Sequence, residues 1–61
     1  MPVTNQEEYQ LKNGQTVSIQ LSDGVWEVAC WNKDDTAHWY REYPAHQKDL
    51  AKAEFERWRE Y

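Results

Sequence analysis

The 61-residue sequence predicts an α+β fold: an antiparallel β-meander of three to four strands with one C-terminal α-helix packed on one face. Three observations carry this reading. The stretch 16–32 alternates apolar and polar residues around Asp23-Gly24. Two further short runs, 7–12 and 36–43, suit strands and flank it. After Pro44 the chain is dominated by Ala, Lys, Glu, Arg and Leu, with no glycine or proline to interrupt a helix.

The central hairpin is the firmest element. Asp-Gly between alternating segments signals a two-residue type I′ turn, because glycine takes positive φ freely and aspartate tolerates it. Such a turn puts Leu21 opposite Trp26, Ile19 opposite Val28 and Val17 opposite Cys30. Side chains alternate along a strand, so these six share one wholly apolar face. Strands 16–22 and 25–32 follow. The other face carries Thr16, Ser18, Gln20 and Glu27, with Val25, Ala29 and Trp31 among them.

Upstream, residues 1–6 are polar, contain Pro2 and read as a frayed terminus. Strand 7–12 places Tyr9 and Leu11 on one side, and Asn13-Gly14 offers a second turn. A two-residue turn would set Tyr9 opposite Ser18 on the polar face. A three-residue turn with a glycine bulge shifts the parity and sets Tyr9 beside Val17. The bulge is preferred, because so small a protein needs that burial.

Downstream, Lys33-Asp34-Asp35 is a polar turn leading to strand 36–43. Its bulkier face (Ala37, Trp39, Arg41, Tyr43) is placed inward, with Cys30 opposite Trp39, Val28 opposite Arg41 and Trp26 opposite Tyr43. The cost is Glu27 facing Glu42 on the outside. The alternative parity pairs Glu27 with Arg41 but buries His38 and Glu42. In the helix, 45–60, Leu50, Tyr61, Trp58, Ala51 and Phe55 fall within an arc of about 140° that should lie on the sheet. Glu54 falls inside that arc and Arg41 inside the facing strand surface, so the two are expected to form an ion pair at the core edge. Glu54–Arg57 and Glu56–Arg59 have (i, i+3) spacing on the helix surface.

Length makes this one domain, near the lower limit for folding alone, with a core drawn from four Trp, four Tyr and one Phe. A core this small leaves little room for a catalytic cleft. There is no phosphate-binding glycine loop, no nucleophile elbow and no paired zinc-ligand spacing. Cys30, His38 and His46 are the soft metal ligands. Cys30 and His38 stand eight apart and are expected on opposite faces, with Cys30 an inert core thiol. The expectation is a non-enzyme with no cofactor and no metal.

The net charge of −4 is unevenly spread: residues 1–35 hold six acids and two bases, whereas 36–61 hold five of each. An acidic sheet is repelled by phosphate backbones and suits a basic protein partner. A single cysteine excludes an internal disulfide, and no apolar run is long enough for a membrane span. The expected location is therefore the cytoplasm, of a cell or an infected host.

One helix covers one face. The other is left open, and the candidate partner-binding residues are Val25, Glu27, Trp31, Asp34, Asp35, His38, Tyr40 and Glu42, with Trp31 and His38 as cross-strand neighbours. Aromatic side chains ringed by acids are characteristic of protein interfaces. The expected function is a small acidic protein-binding module, an inhibitor, adaptor or regulator, with a homodimer through the same face as another use of it. In size, charge and lack of motifs the chain is similar to the anti-host and anti-defence proteins of bacteriophages. The alternative is single-stranded nucleic-acid binding by aromatic stacking on the sheet, which the shortage of Lys and Arg there opposes.

Overall fold

A computed structural model describes residues 6–59. Four strands, β1 (Gln6–Gln10), β2 (Thr16–Ser22), β3 (Val25–Trp31) and β4 (Ala37–Pro44), lie in the order β1-β2-β3-β4, all antiparallel. A 3₁₀ turn, Ala45–Gln47, leads into helix α1 (Lys48–Arg57). Of the segment expected to fray, residues 1–5 lie outside the described residues, whereas Gln6 opens β1 and pairs with Gln20.

The turn chemistry sets the register. Asp23 (φ 53°) and Gly24 (φ 77°) both occupy the left-handed region that a type I′ turn requires. Leu21 then faces Trp26, Ile19 faces Val28 and Val17 faces Cys30. In the first hairpin Leu11 donates its N–H to the Gln15 carbonyl (2.7 Å) and Gly14 donates back to Leu11 (3.0 Å). The loop is thus three residues closed by Gly14 at φ 94°, and Tyr9 pairs with Val17 on the apolar face. Regular pairing stops at Gln10 rather than Lys12 because the chain is already turning at Leu11.

The core is Val17, Ile19, Trp26, Val28 and Cys30 from the central hairpin, roofed by Ala51 and Phe55. The helix reaches both edge strands. Toward β1, the Tyr9 hydroxyl donates to the Phe55 carbonyl, the two rings meet edge to face at 4.9 Å, and Lys52 Nζ lies 3.2 Å from Glu7. Toward β4, Trp58 packs on Trp39 at 5.6 Å and Glu54 lies 3.9 Å from Arg41. The expected Arg41–Glu54 pair is therefore present. Glu54 is 11% exposed and is held further by the Trp58 indole N–H at 3.1 Å and by Arg57 at 3.8 Å.

Three expectations are corrected. Leu50, assigned to the buried arc, is 53% exposed. Ala51 and Phe55 are the fully buried helix positions, and the midpoint between them lies roughly 120° from Leu50 at about 100° per residue. The contacts of Phe55 with Tyr9 and of Lys52 with Glu7 roll the helix toward β1 and carry Leu50 outward. The helix is also shorter than 45–60: its first three residues are 3₁₀, Trp58 is its C-cap, and residues 60–61, with Tyr61, lie outside the described residues. Finally, a register shift between Cys30 and Trp31 pairs Trp31 with Ala37, so Ala37 is an exposed edge residue and His38 is not the partner of Trp31.

Candidate functional site: the outer face of the sheet

Because paired residues share a face, the register arranges the outer surface in rows. The first runs Gln10, Thr16, Trp31 and the second Glu8, Ser18, Ala29, Tyr40. The third runs Gln6, Gln20, Glu27, Glu42, and Ser22, Val25 and Pro44 end the sheet. Three carboxylates stand on these positions and no lysine or arginine. All the cations of the strands and helix lie on the helix side or in loops: Arg41 points to Glu54, and Lys52 to Glu7.

At the middle of this face is a cleft of about 210 Å³, bordered by Glu8, Ser18, Glu27, Ala29, Trp31 and Tyr40. Ala29 is its floor and only 3% exposed, although no helix lies above it. The two aromatic side chains flank it without stacking on each other. Trp31 is half-buried and leans toward β2, donating its indole N–H to Ser18 Oγ at 3.0 Å. Tyr40, directly opposite Ala29, is 46% exposed and donates its hydroxyl to Glu42 at 2.9 Å. A slot between an indole and a phenol thus opens above a methyl group.

The facing carboxylates Glu27 and Glu42 repel each other, and the structure offsets this with donors on both sides. Gln20 Nε2 donates to Glu27 at 2.7 Å. The Tyr40 phenol, partly stripped of water, hydrogen-bonded to Glu42 and close to the negative charge of Glu27, is pushed well above its ordinary pKa of 10.0. It therefore stays a neutral donor to Glu42.

The remaining candidates lie elsewhere. Val25 is half-buried at the turn end of the sheet, opposite Ser22 and Pro44. Asp34 is occupied by the β3–β4 turn: its carboxylate accepts from the Thr36 hydroxyl (2.6 Å) and the Thr36 N–H (3.1 Å), which hold its pKa below the ordinary 3.8. Asp35, at φ 71°, supplies the left-handed residue of that turn. His38 borders a different cavity, alongside Cys30 and Trp39, rather than the opposite face expected of it. Within the central cleft the structure brings together Glu27, Trp31 and Tyr40, with Glu42 beside Tyr40. It adds Glu8 and Ser18, which the sequence reading did not single out. The signal for Glu8 was available, since the glycine-bulge register that buries Tyr9 necessarily turns Glu8 outward.

Cys30 is buried, and burial raises its thiol pKa, so it rests as a neutral thiol in the core. Among the described residues no cluster of three His, Cys, Asp or Glu side chains could hold a metal ion. No helix among them is long and apolar enough to cross a membrane. Compared with known family models, curated proteins and solved structures, the chain matches none.

Proposed function

We propose that this chain is a protein-binding module, an inhibitor, adaptor or regulator, whose outer sheet face docks on a basic surface of another protein. The observation that carries the reading is the aromatic slot over Ala29, ringed by Glu8, Glu27 and Glu42, with no lysine or arginine among the described residues of the same face. A lysine or arginine side chain of the partner enters between Trp31 and Tyr40. Its stem lies on the rings, and its charged head reaches the carboxylates. The same charges oppose pairing with a second copy, because two acidic faces would be set against each other. They equally oppose a phosphate backbone. A single buried thiol fits work in a reducing compartment such as the cytoplasm.

The defined test is a titration of the ¹⁵N-labelled protein with an oligolysine peptide, read by NMR. Saturable shifts at the Trp31 indole N–H and the Ala29 amide, weakened by added salt and abolished in Trp31→Ala, are expected. Affinity capture from the native host with wild type and Trp31→Ala, read by mass spectrometry, then names the partner. Capture that survives Trp31→Ala and the double change Glu27→Gln, Glu42→Gln would overturn the reading. So would retention on labelled single-stranded DNA at low salt.

A further inference from the structure

On the opposite side of the sheet, where the first hairpin loop approaches the end of the helix, lies a second cavity, of about 280 Å³. Its walls are Leu11, Cys30, Trp39 and Trp58. The two indoles pack on each other at 5.6 Å with their planes tilted by 40°, and together they form one aromatic wall of the cavity. Burial keeps Cys30 an uncharged thiol, so the inner wall is apolar.

The rim is polar and is divided into two kinds of group. Asn13 and Gln15 are committed to the loop itself: Asn13 Nδ2 donates to Gln15 Oε1 (2.9 Å), and Gln15 Nε2 donates on to Asn32 (2.8 Å). Lys12 and His38 are exposed, and among the described residues neither has a hydrogen-bond or ion-pair partner. No carboxylate lines the cavity among the described residues. In a chain of net charge −4 this is a local reversal of sign. Lysine offers three donors, and an imidazole offers at least one N–H in either protonation state.

We propose that this cavity is a binding site for a small planar aromatic acid, independent of the outer face. The rings of the ligand lie in the cavity against the Trp39–Trp58 pair, not between the two indoles, and its carboxylate reaches Lys12 and His38 at the mouth. Size agrees with this class: a cavity of about 150 Å³ takes one benzene ring, so one nearly twice as large takes two fused rings. An apolar slot with a few convergent polar groups is the ordinary form of a small-molecule site.

The test uses 2-naphthoate and its neutral counterpart 2-naphthalenemethanol, titrated into the intact protein and followed by NMR at the indole N–H signals. For 2-naphthoate, saturable shifts of the Trp39 and Trp58 signals are expected at about millimolar concentration or below, with the Trp31 signal unmoved. Binding should weaken by roughly two- to fivefold in Lys12→Ala and for the alcohol, the loss of one exposed charge contact. Lys12 is solvent-exposed, so this variant keeps its fold, as its unchanged amide spectrum would show. Three results would overturn the proposal: no saturable shift up to 10-fold above that concentration, shifts centred on Trp31, or equal binding of acid and alcohol with Lys12→Ala unaffected.

Discussion

Truncating Phe55 and Leu50 in turn tests which face of helix α1 is seated on the sheet. Phe55 is fully buried, its ring against Tyr9 and its carbonyl accepting the Tyr9 hydroxyl. Phe55→Ala removes a core side chain and leaves a cavity, at a cost of about 3–5 kcal/mol. A 61-residue domain has a total stability of roughly 3–9 kcal/mol at 0.05–0.15 kcal/mol per residue, so this one change takes from about a third of it to all of it. Leu50 is 53% exposed, and its truncation forfeits less than half the burial of a leucine, about 1 kcal/mol or less, offset in part by the better helix propensity of alanine. Urea unfolding followed by tryptophan fluorescence measures both. Phe55→Leu is included because it loses less, about 1–1.5 kcal/mol, and folds where Phe55→Ala does not. If Leu50→Ala cost as much as Phe55→Leu, the helix would be seated on the arc centred nearer Leu50, and the roll toward β1 described above would be wrong.

Other perturbations have equally definite outcomes. Gly24→Ala places a methyl in open space, since no atom lies within 4 Å of the added carbon. Its whole effect is the left-handed backbone at φ 77°, expected to cost about 1–2 kcal/mol by thermal unfolding, and a neutral result would remove the turn from the argument for register. Asp34 and Glu56 both have folded pKa values below their ordinary 3.8 and 4.5, through hydrogen bonds from Thr36 and Arg59 respectively. A lowered carboxylate pKa means a stabilising contribution that is complete above those ordinary values and is lost as pH falls through the folded ones. The melting temperature should therefore drop below about pH 4, and Asp34→Asn should drop less steeply than wild type over that range. Cys30 should react slowly with a thiol reagent at pH 8 in the native protein and rapidly in urea; fast native reaction would contradict its burial.

Local chemistry determined most of the strand architecture. Asp23-Gly24 demands positive φ at both positions, and a period of two then assigns every side chain of β2 and β3 to a face without reference to distant contacts, whereas Asn13-Gly14 admits two registers for β1 and the need to bury Tyr9 chose between them. With the bulkier face of β4 turned inward, the same logic holds from Trp39 onward, since Trp39, Arg41 and Tyr43 lie opposite Cys30, Val28 and Trp26. Two things were beyond it. The bulge that separates His38 from Trp31 arises where the Asn32–Thr36 turn joins the ladder, with Asn32 N–H on the Thr36 carbonyl at 2.8 Å and Asp35 in the left-handed region. One added residue there moves His38 off the partner-facing row, and no periodicity count within the strand reports it.

The roll of the helix is the other. Its composition admits a broad apolar arc containing Leu50, Ala51, Phe55 and Trp58, and intrinsic helix geometry is indifferent to which part of that arc touches the sheet. The choice was made by Tyr9, Glu7 and Arg41, which stand on strands remote in sequence and hold Phe55, Lys52 and Glu54 in place. The outer face shows the same division. Glu27 and Trp31 could be placed on one surface from alternation alone, and Tyr40 joins them once the bulkier face of 36–43 is turned inward. The slot between the two rings exists because Trp31 leans to Ser18 and Tyr40 to Glu42, and those directions are set by partners on neighbouring strands.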